Sequence, residues 1–108
     1  MELKTLIERA MSVRQRYAAL ERARYSRSWT REEVAMGFVG DIGDLAKLVL
    51  AQSGIRDIPD MRDKLEHELA DCLWSVLVLS QLYDIDLEQA FLKTMDAIEK
   101  DIAAQSRD

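Results

Sequence analysis

Apolar residues recur at three- and four-residue steps along most of the chain. The first such segment runs from about Leu3 to Arg24 and carries Leu3, Leu6, Ile7, Ala10, Val13, Tyr17 and Leu20. This spacing puts the apolar side chains on one face of an amphipathic helix. No segment alternates between apolar and polar residues as a strand does, so the pattern predicts an all-α protein.

A capping signal marks the start of a second helix. Thr30 with Glu33 three residues later is a capping box, which predicts a helix beginning at Arg31. That helix is expected to continue to about Gln52, with Gly54 as its stop signal.

The segment RDIPD separates this helix from a third, which Asp60 or a neighbour is expected to cap and which runs to about Tyr83. Asp86 with Gln89 repeats the capping pattern for a fourth helix. Its apolar positions are expected to face inward: Leu87, Phe91, Met95, Ile98 and Ile102. Together the elements predict a bundle of four helices.

The third helix is apolar on nearly all sides from Leu69 to Leu82. A helix of this kind is buried on most sides, and 108 residues provide too little protein to surround it. We therefore expect an oligomer in which the second and third helices contribute to the interface. The alternative is a monomer that exposes a few leucines.

Length and charge narrow the class of protein. A chain of 108 residues predicts one domain spanning residues 1–108. The net charge of -5 argues against nucleic-acid or anionic-membrane partners. Cys72 is the single cysteine, which excludes an internal disulfide and suits a reducing cytoplasm. No apolar run reaches the ~18 residues of a membrane span, and the charged N-terminus is unlike a signal peptide.

Two pairs of carboxylates interrupt these apolar helices. Asp41 and Asp44 lie on one face of the second helix, and Glu68 and Asp71 lie on one face of the third. If the two helices pack antiparallel, the four groups converge and need a positive partner. Lysine is scarce on these helices, so all-oxygen ligation by a hard cation, Mg²⁺ or Mn²⁺, is the economical prediction.

Other interpretations of the carboxylates remain open. In one alternative, the four carboxylates face solvent or bind arginines of the first helix. A di-iron bundle is the rival metal site, but it requires Glu-x-x-His pairs, and Lys64 stands three residues before the only histidine, His67. We expect His67 to be a surface or internally satisfied residue rather than a ligand.

Three glycines accompany the aspartates on the second helix. Gly37, Gly40 and Gly43 each cost the helix roughly 1 kcal/mol relative to alanine. Small residues at this spacing let a second helix, or a phosphate group, approach the backbone, and close helix packing is the favoured role.

The two motifs resemble a known family. GDIGDLAK, followed by HELADCLWSVLVLSQLYDIDLEQAF, is similar to the MazG-like nucleoside triphosphate pyrophosphohydrolases, which are all-α relatives of the dimeric dUTPases. In that family a G-E-x-G-E-L-A stretch and an E-L-x-D stretch hold Mg²⁺. The residues of this chain that match are Gly40, Gly43, Leu45, Ala46, Glu68, Leu69 and Asp71. The resemblance covers roughly residues 30–100.

The resemblance implies an activity and a set of site residues. It implies Mg²⁺-dependent hydrolysis of a (deoxy)nucleoside triphosphate to the monophosphate and pyrophosphate, which clears unwanted nucleotides. Asp41, Asp44, Glu68 and Asp71 would hold the metal, and Asp41 or Asp44 would take the proton of the attacking water. Residues expected to contact substrate are Tyr25, Trp29, Arg31, Ser75 and Lys93. Tyr25 and Trp29 would stack on the base, although a solvated loop is an equal alternative.

The chain departs from the family pattern at three places. Asp41 and Asp44 replace the usual glutamates, and Lys47 replaces a common glutamate. The last helix carries Lys93, Ala97 and Lys100 where relatives have Lys-x-x-x-Asn-x-x-Arg. These departures keep a second function open, a non-catalytic helical module for nucleotide binding or assembly. A phosphoribosyl-ATP pyrophosphohydrolase is a third possibility. Relatives form dimers or dimers of dimers, and a tetramer is expected here.

Overall fold

The computed structural model describes residues 2–54 and 58–106. Four helices follow one another, and these residues contain no strand: α1 (Leu3–Tyr25), α2 (Arg31–Gln52), α3 (Met61–Leu82) and α4 (Leu87–Gln105). The all-α class is therefore confirmed. No helix in the described ranges is both long enough and apolar enough to cross a membrane.

The predicted capping box fixes the start of α2. Thr30 Oγ1 accepts a hydrogen bond from Glu33 N at 3.2 Å, and Glu33 Oε1 accepts one from Thr30 N at 3.1 Å. Arg27 also donates to Glu33 at 2.6 Å. These bonds, that of Arg27 first, lower the pKa of Glu33 to about 2. The loop before α2 is thus tied to its first turn.

The start of α3 differs from the prediction. Asp60 precedes the helix, but its φ of 53° is left-handed and its side chain makes no capping bond. A side-chain cap needs an extended residue at this position. Asp86 is extended before α4 and accepts a bond from Gln89 N at 3.1 Å, as the sequence indicated.

Helices α2 and α3 form an antiparallel hairpin, and α1 packs on α3. Val34, near the start of α2, meets Val78, near the end of α3, in the core cluster that Ala10 and Leu77 complete. Trp74 Nε1 donates to the Ala10 carbonyl at 3.3 Å and joins α1 to α3. This packing holds the middle of α2 against the middle of α3.

Helix α4 corrects the expectation that its apolar positions face inward. No residue of α4 is buried, and only Leu87 packs against the core cluster. Phe91 and Ile102 are each 58% exposed. The radius of gyration is 17.5 Å, whereas about 13 Å is typical of a compact chain of this length. Within residues 2–54 and 58–106 of one chain, the apolar face of α4 is therefore largely exposed.

Candidate metal centre and adjoining cavities

The antiparallel hairpin brings the four predicted carboxylates together. Asp41, Asp44 and Glu68 can each offer an oxygen so that all three atoms lie within 4.8 Å of one another. Glu68 also belongs to a second group of the same size with Asp71 and His67. We name Asp41, Asp44, Glu68 and Asp71 the carboxylate cluster, in which Glu68 is shared by both groups.

The cluster carries negative charge that the described residues leave largely uncompensated. Burial, followed by the neighbouring Asp71 and Asp44, raises the pKa of Asp41. Burial, followed by Asp71 and Asp41, also raises the pKa of Glu68. Glu68 Oε2 is buried, and no described group forms a hydrogen bond with it. A cation placed among these oxygens would relieve the repulsion and satisfy that atom.

The donor set fits a hard divalent cation. Four carboxylates supply oxygen ligands of the kind that Mg²⁺ and Mn²⁺ prefer. Cys72 lies nearby, but burial and then the charge of Asp41 raise the pKa of its thiol.

His67 forms an ion pair with one member of the cluster. Its Nε2 lies 3.0 Å from Asp71 Oδ2, one turn along α3, and its side chain is largely exposed. His67 lies at the surface with Asp71 as its partner, and the expectation that it is not a metal ligand stays a prediction.

A cavity of about 670 Å³ opens on one side of the cluster. Trp29, Tyr17 and Trp74 supply aromatic walls, and the Tyr17 and Trp74 rings meet edge-to-face with centroids 6.2 Å apart. We call this the aromatic cavity; its lining residues are Val13, Arg14, Tyr17, Glu21, Trp29, Val34, Gly37, Asp41, Ala70, Asp71, Trp74 and Ser75. An apolar space edged by two cluster carboxylates can accept a flat apolar group joined to a charged one.

Arg14 and Glu21 fasten Trp29 to this cavity. Arg14 is only 9% exposed and donates to the Trp29 carbonyl and, at 3.4 Å, to Glu21 Oε1. The same oxygen accepts from Trp29 N at 2.7 Å. Neither Arg14 nor Glu21 is among the site residues predicted from the sequence. A signal was present, because Arg14 falls on the apolar face of α1, four residues after Ala10.

A second cavity, of about 360 Å³, opens on the other side of the cluster. We call it the lysine cavity, and its lining residues are Asp44, Lys47, Leu48, Ile58, Asp63, Lys64, His67 and Glu68. It shares Asp44 and Glu68 with the carboxylate cluster, whereas the aromatic cavity shares Asp41 and Asp71. The cluster therefore stands between two cavities of different chemistry.

The chain was compared with known families and proteins. The family model of the MazG nucleotide pyrophosphohydrolase domain matches residues 30–101. The chain belongs to the MazG family. No curated protein and no solved structure matches it. The MazG match indicates nucleotide pyrophosphohydrolase activity in general, and it includes the whole carboxylate cluster but not Arg14, Glu21 or Trp29.

The sequence predicts five substrate contacts, and the structure places two of them at the aromatic cavity and three elsewhere. Trp29 and Ser75 line the aromatic cavity, and Ser75 is only 2% exposed. The other three line neither cavity. Tyr25 is 71% exposed. Arg31 lies over the Tyr83 ring, 4.8 Å from its centroid, about 15 Å along α2 from Asp41. Lys93 lies on the unpartnered α4.

Proposed function

We propose that this MazG protein hydrolyses a (deoxy)nucleoside triphosphate to the monophosphate and pyrophosphate, with Mg²⁺ or Mn²⁺ as cofactor. The carboxylate cluster between two cavities is the observation that carries the proposal. A triphosphate cannot approach four carboxylates directly, so a divalent cation must lie between them. The activity would clear surplus or non-standard nucleotides in the cytoplasm.

Asp41, Asp44, Glu68 and Asp71 would hold the metal. When bound, the ion neutralises phosphate charge and makes a coordinated water acidic. Asp41 or Asp44 would be the residue that accepts the proton of the attacking water.

The aromatic cavity would receive the nucleoside. The Trp29 ring offers a stacking face for the base, and the Ser75 hydroxyl, one turn beyond Asp71, can donate to a sugar or phosphate oxygen. Tyr25, Arg31 and Lys93 line neither cavity, so contact between these side chains and substrate requires a second copy of the chain.

The chain would work as a homo-oligomer, a tetramer of two dimers more readily than a dimer. On a single copy α2, α3 and α4 expose apolar side chains, among them Met36, Val39, Ile42, Leu69, Leu73, Phe91, Leu92, Ile98 and Ile102. A second copy would remove this surface from water, at a gain of about 25 cal/mol for each Å².

Pyrophosphate release from a panel of triphosphates, including phosphoribosyl-ATP, tests the activity with Mg²⁺ and Mn²⁺. Asp71→Asn and Glu68→Gln should each lower kcat/KM by about 100-fold or more. Asp96→Asn, on the exposed surface of α4, should leave it unchanged. If wild type cleaves no triphosphate, and Asp71→Asn leaves ligand and metal binding unchanged, the enzyme proposal fails.

One observation favours a second candidate function. Asp41 and Asp44 are each one methylene shorter than the glutamates of the resembling family, and Mg²⁺ requires near-octahedral geometry. A MazG module that binds nucleotide without cleaving it would follow if the shorter ligands hold the ion poorly. Tight triphosphate binding by calorimetry, together with no pyrophosphate release, would identify this case.

A further inference from the structure

We infer that the lysine cavity binds the two terminal phosphates of the triphosphate through Lys47 and Lys64, and retains them as pyrophosphate after cleavage. The inference rests on the proposed function, because it places one part of that substrate. It assigns phosphate binding to the α2–α3 hairpin of a single chain.

The two lysines occupy equivalent positions on the facing helices. Lys47 lies three residues after Asp44 on α2, and Lys64 lies four residues before Glu68 on α3. Each is thus about one helical turn, or ~5.4 Å, from a cluster carboxylate. Because α2 and α3 are antiparallel, both displacements point the same way, into the lysine cavity.

Seen from the carboxylate cluster, the aromatic cavity lies in the opposite direction along the hairpin. The residues that border the aromatic cavity on the hairpin come before Asp44 on α2 and after Glu68 on α3: Val34, Gly37, Asp41, Ala70, Asp71, Trp74 and Ser75. The parts of a nucleoside triphosphate also follow one another in a line, from the base through the sugar to the terminal phosphate. With the base at Trp29, the phosphates cross the cluster and end beside Lys47 and Lys64.

The charges of the lysine cavity suit this occupant. Neither Lys47 nor Lys64 forms an ion pair with a carboxylate in residues 2–54 or 58–106, so both ammonium groups can donate to a ligand. Asp44 and Glu68 would hold the cation of the proposed function, and Asp63 is the remaining carboxylate among the lining residues. Lysine ammonium groups bind phosphate oxygens as point charges.

The sequence departures agree with the assignment. Lys47 stands where the resembling family has a glutamate, so this chain places a cation where relatives place an anion. Lys93, the phosphate contact that the resemblance implies, lines neither cavity of its own chain. Within a single chain, the lysines that line a cavity beside the carboxylate cluster are therefore those of the hairpin, Lys47 and Lys64.

The competing explanation is that the lysines only offset the acidic charge around them. Calorimetry with the full chain and excess Mg²⁺ separates the two. The probes are a triphosphate whose α–β bridge is a methylene, inorganic pyrophosphate, and the matching nucleoside monophosphate. The test variant is K47A/K64A. The control variant K4A/R9A removes the same charge from exposed positions of α1.

We expect K47A/K64A to weaken triphosphate and pyrophosphate binding by about tenfold or more and monophosphate binding by less than about twofold. K47R/K64R should restore most of the loss, and K4A/R9A should bind all three probes like wild type. Circular dichroism checks that the exposed substitutions leave the fold intact.

Two results would overturn the inference alone: equal affinities in K47A/K64A and K4A/R9A, or an equal loss for the monophosphate. If wild type binds the analogue but cleaves no triphosphate, the proposed function fails and the phosphate site stands. If wild type binds neither triphosphate nor pyrophosphate, both fail.

Discussion

The indole of Trp29 lies directly against the backbone of Gly37, so that a Cβ on Gly37 would stand 3.1 Å from Trp29 Cζ3. At Gly40 and Gly43 the same added atom would meet nothing within 4 Å. Of the three glycines on α2, Gly37 alone is therefore closely packed against a described residue of the same chain, and that contact forms a wall of the aromatic cavity.

Alanine substitutions should separate these positions. Gly40→Ala should raise the free energy of unfolding by about 0.5–1 kcal/mol, because alanine is the better helix former. Gly37→Ala should gain less, since Trp29 must give way, and should also weaken triphosphate binding. Chemical denaturation and calorimetry measure both effects. A destabilised Gly40→Ala would contradict this expectation and place a neighbouring copy against that face.

Arg14→Met should destabilise the protein by about 2–3 kcal/mol and weaken nucleotide binding. The substitution leaves the Trp29 carbonyl without its Arg14 donor and removes one of the two donors to the partly buried Glu21 carboxylate. Urea denaturation and calorimetry provide the measurements. Arg16→Met, at an exposed position of the same helix, is the control. Equal stabilities of the two variants would show that the Arg14 bonds contribute little.

The metal-free protein should lose stability as pH rises. Asp41 and Glu68 have raised pKa values in the folded chain, each caused first by burial. The folded state therefore binds more protons than the unfolded state above the ordinary pKa values of 3.8 and 4.5. Stability falls through the raised pKa range and stays lower beyond it.

Thermal melts in chelator at pH 5 and pH 7.5 test this linkage. Glu68→Gln should melt about 3 °C above wild type at pH 7.5 and close to it at pH 5. Addition of Mg²⁺ should stabilise wild type more than the variant. Parallel pH profiles of the two metal-free proteins would refute the prediction.

Charges placed on the apolar face of α4 should dissociate the oligomer. Phe91→Glu with Ile98→Glu introduces carboxylates into a surface that a partner would bury, which costs several kcal/mol per interface. Light scattering after size exclusion should report a smaller particle. Gln105→Glu adds charge at the exposed end of the same helix and should keep the wild-type mass. A wild-type protein that is monomeric at micromolar concentration would contradict the proposed assembly.

Local signals predicted most of the fold. The Thr30–Glu33 box needs only residues that are close in sequence, and both of its hydrogen bonds form. Asp60 failed as a capping residue because its backbone is left-handed, which the residue type does not specify. The inward face of α4 failed because periodicity identifies an apolar face but not the molecule that covers it.

The candidate site shows the same contrast between local signals, which the sequence contains, and tertiary contacts, which it does not specify. Helical spacing placed Asp41 with Asp44 and Glu68 with Asp71, and the hairpin brought the pairs together. The aromatic cavity could not be foreseen, since it requires α1 and the loop that carries Trp29 to meet the hairpin. Arg14 forms that junction from a position where periodicity alone predicts an apolar residue.

The chain contains only two tryptophans, and both indoles line the aromatic cavity. Fluorescence that is excited at the red edge of the protein absorption spectrum therefore comes only from the walls of the aromatic cavity. Intrinsic fluorescence thus follows occupancy of the cavity without a label, and Trp29→Phe and Trp74→Phe assign the signal to either wall.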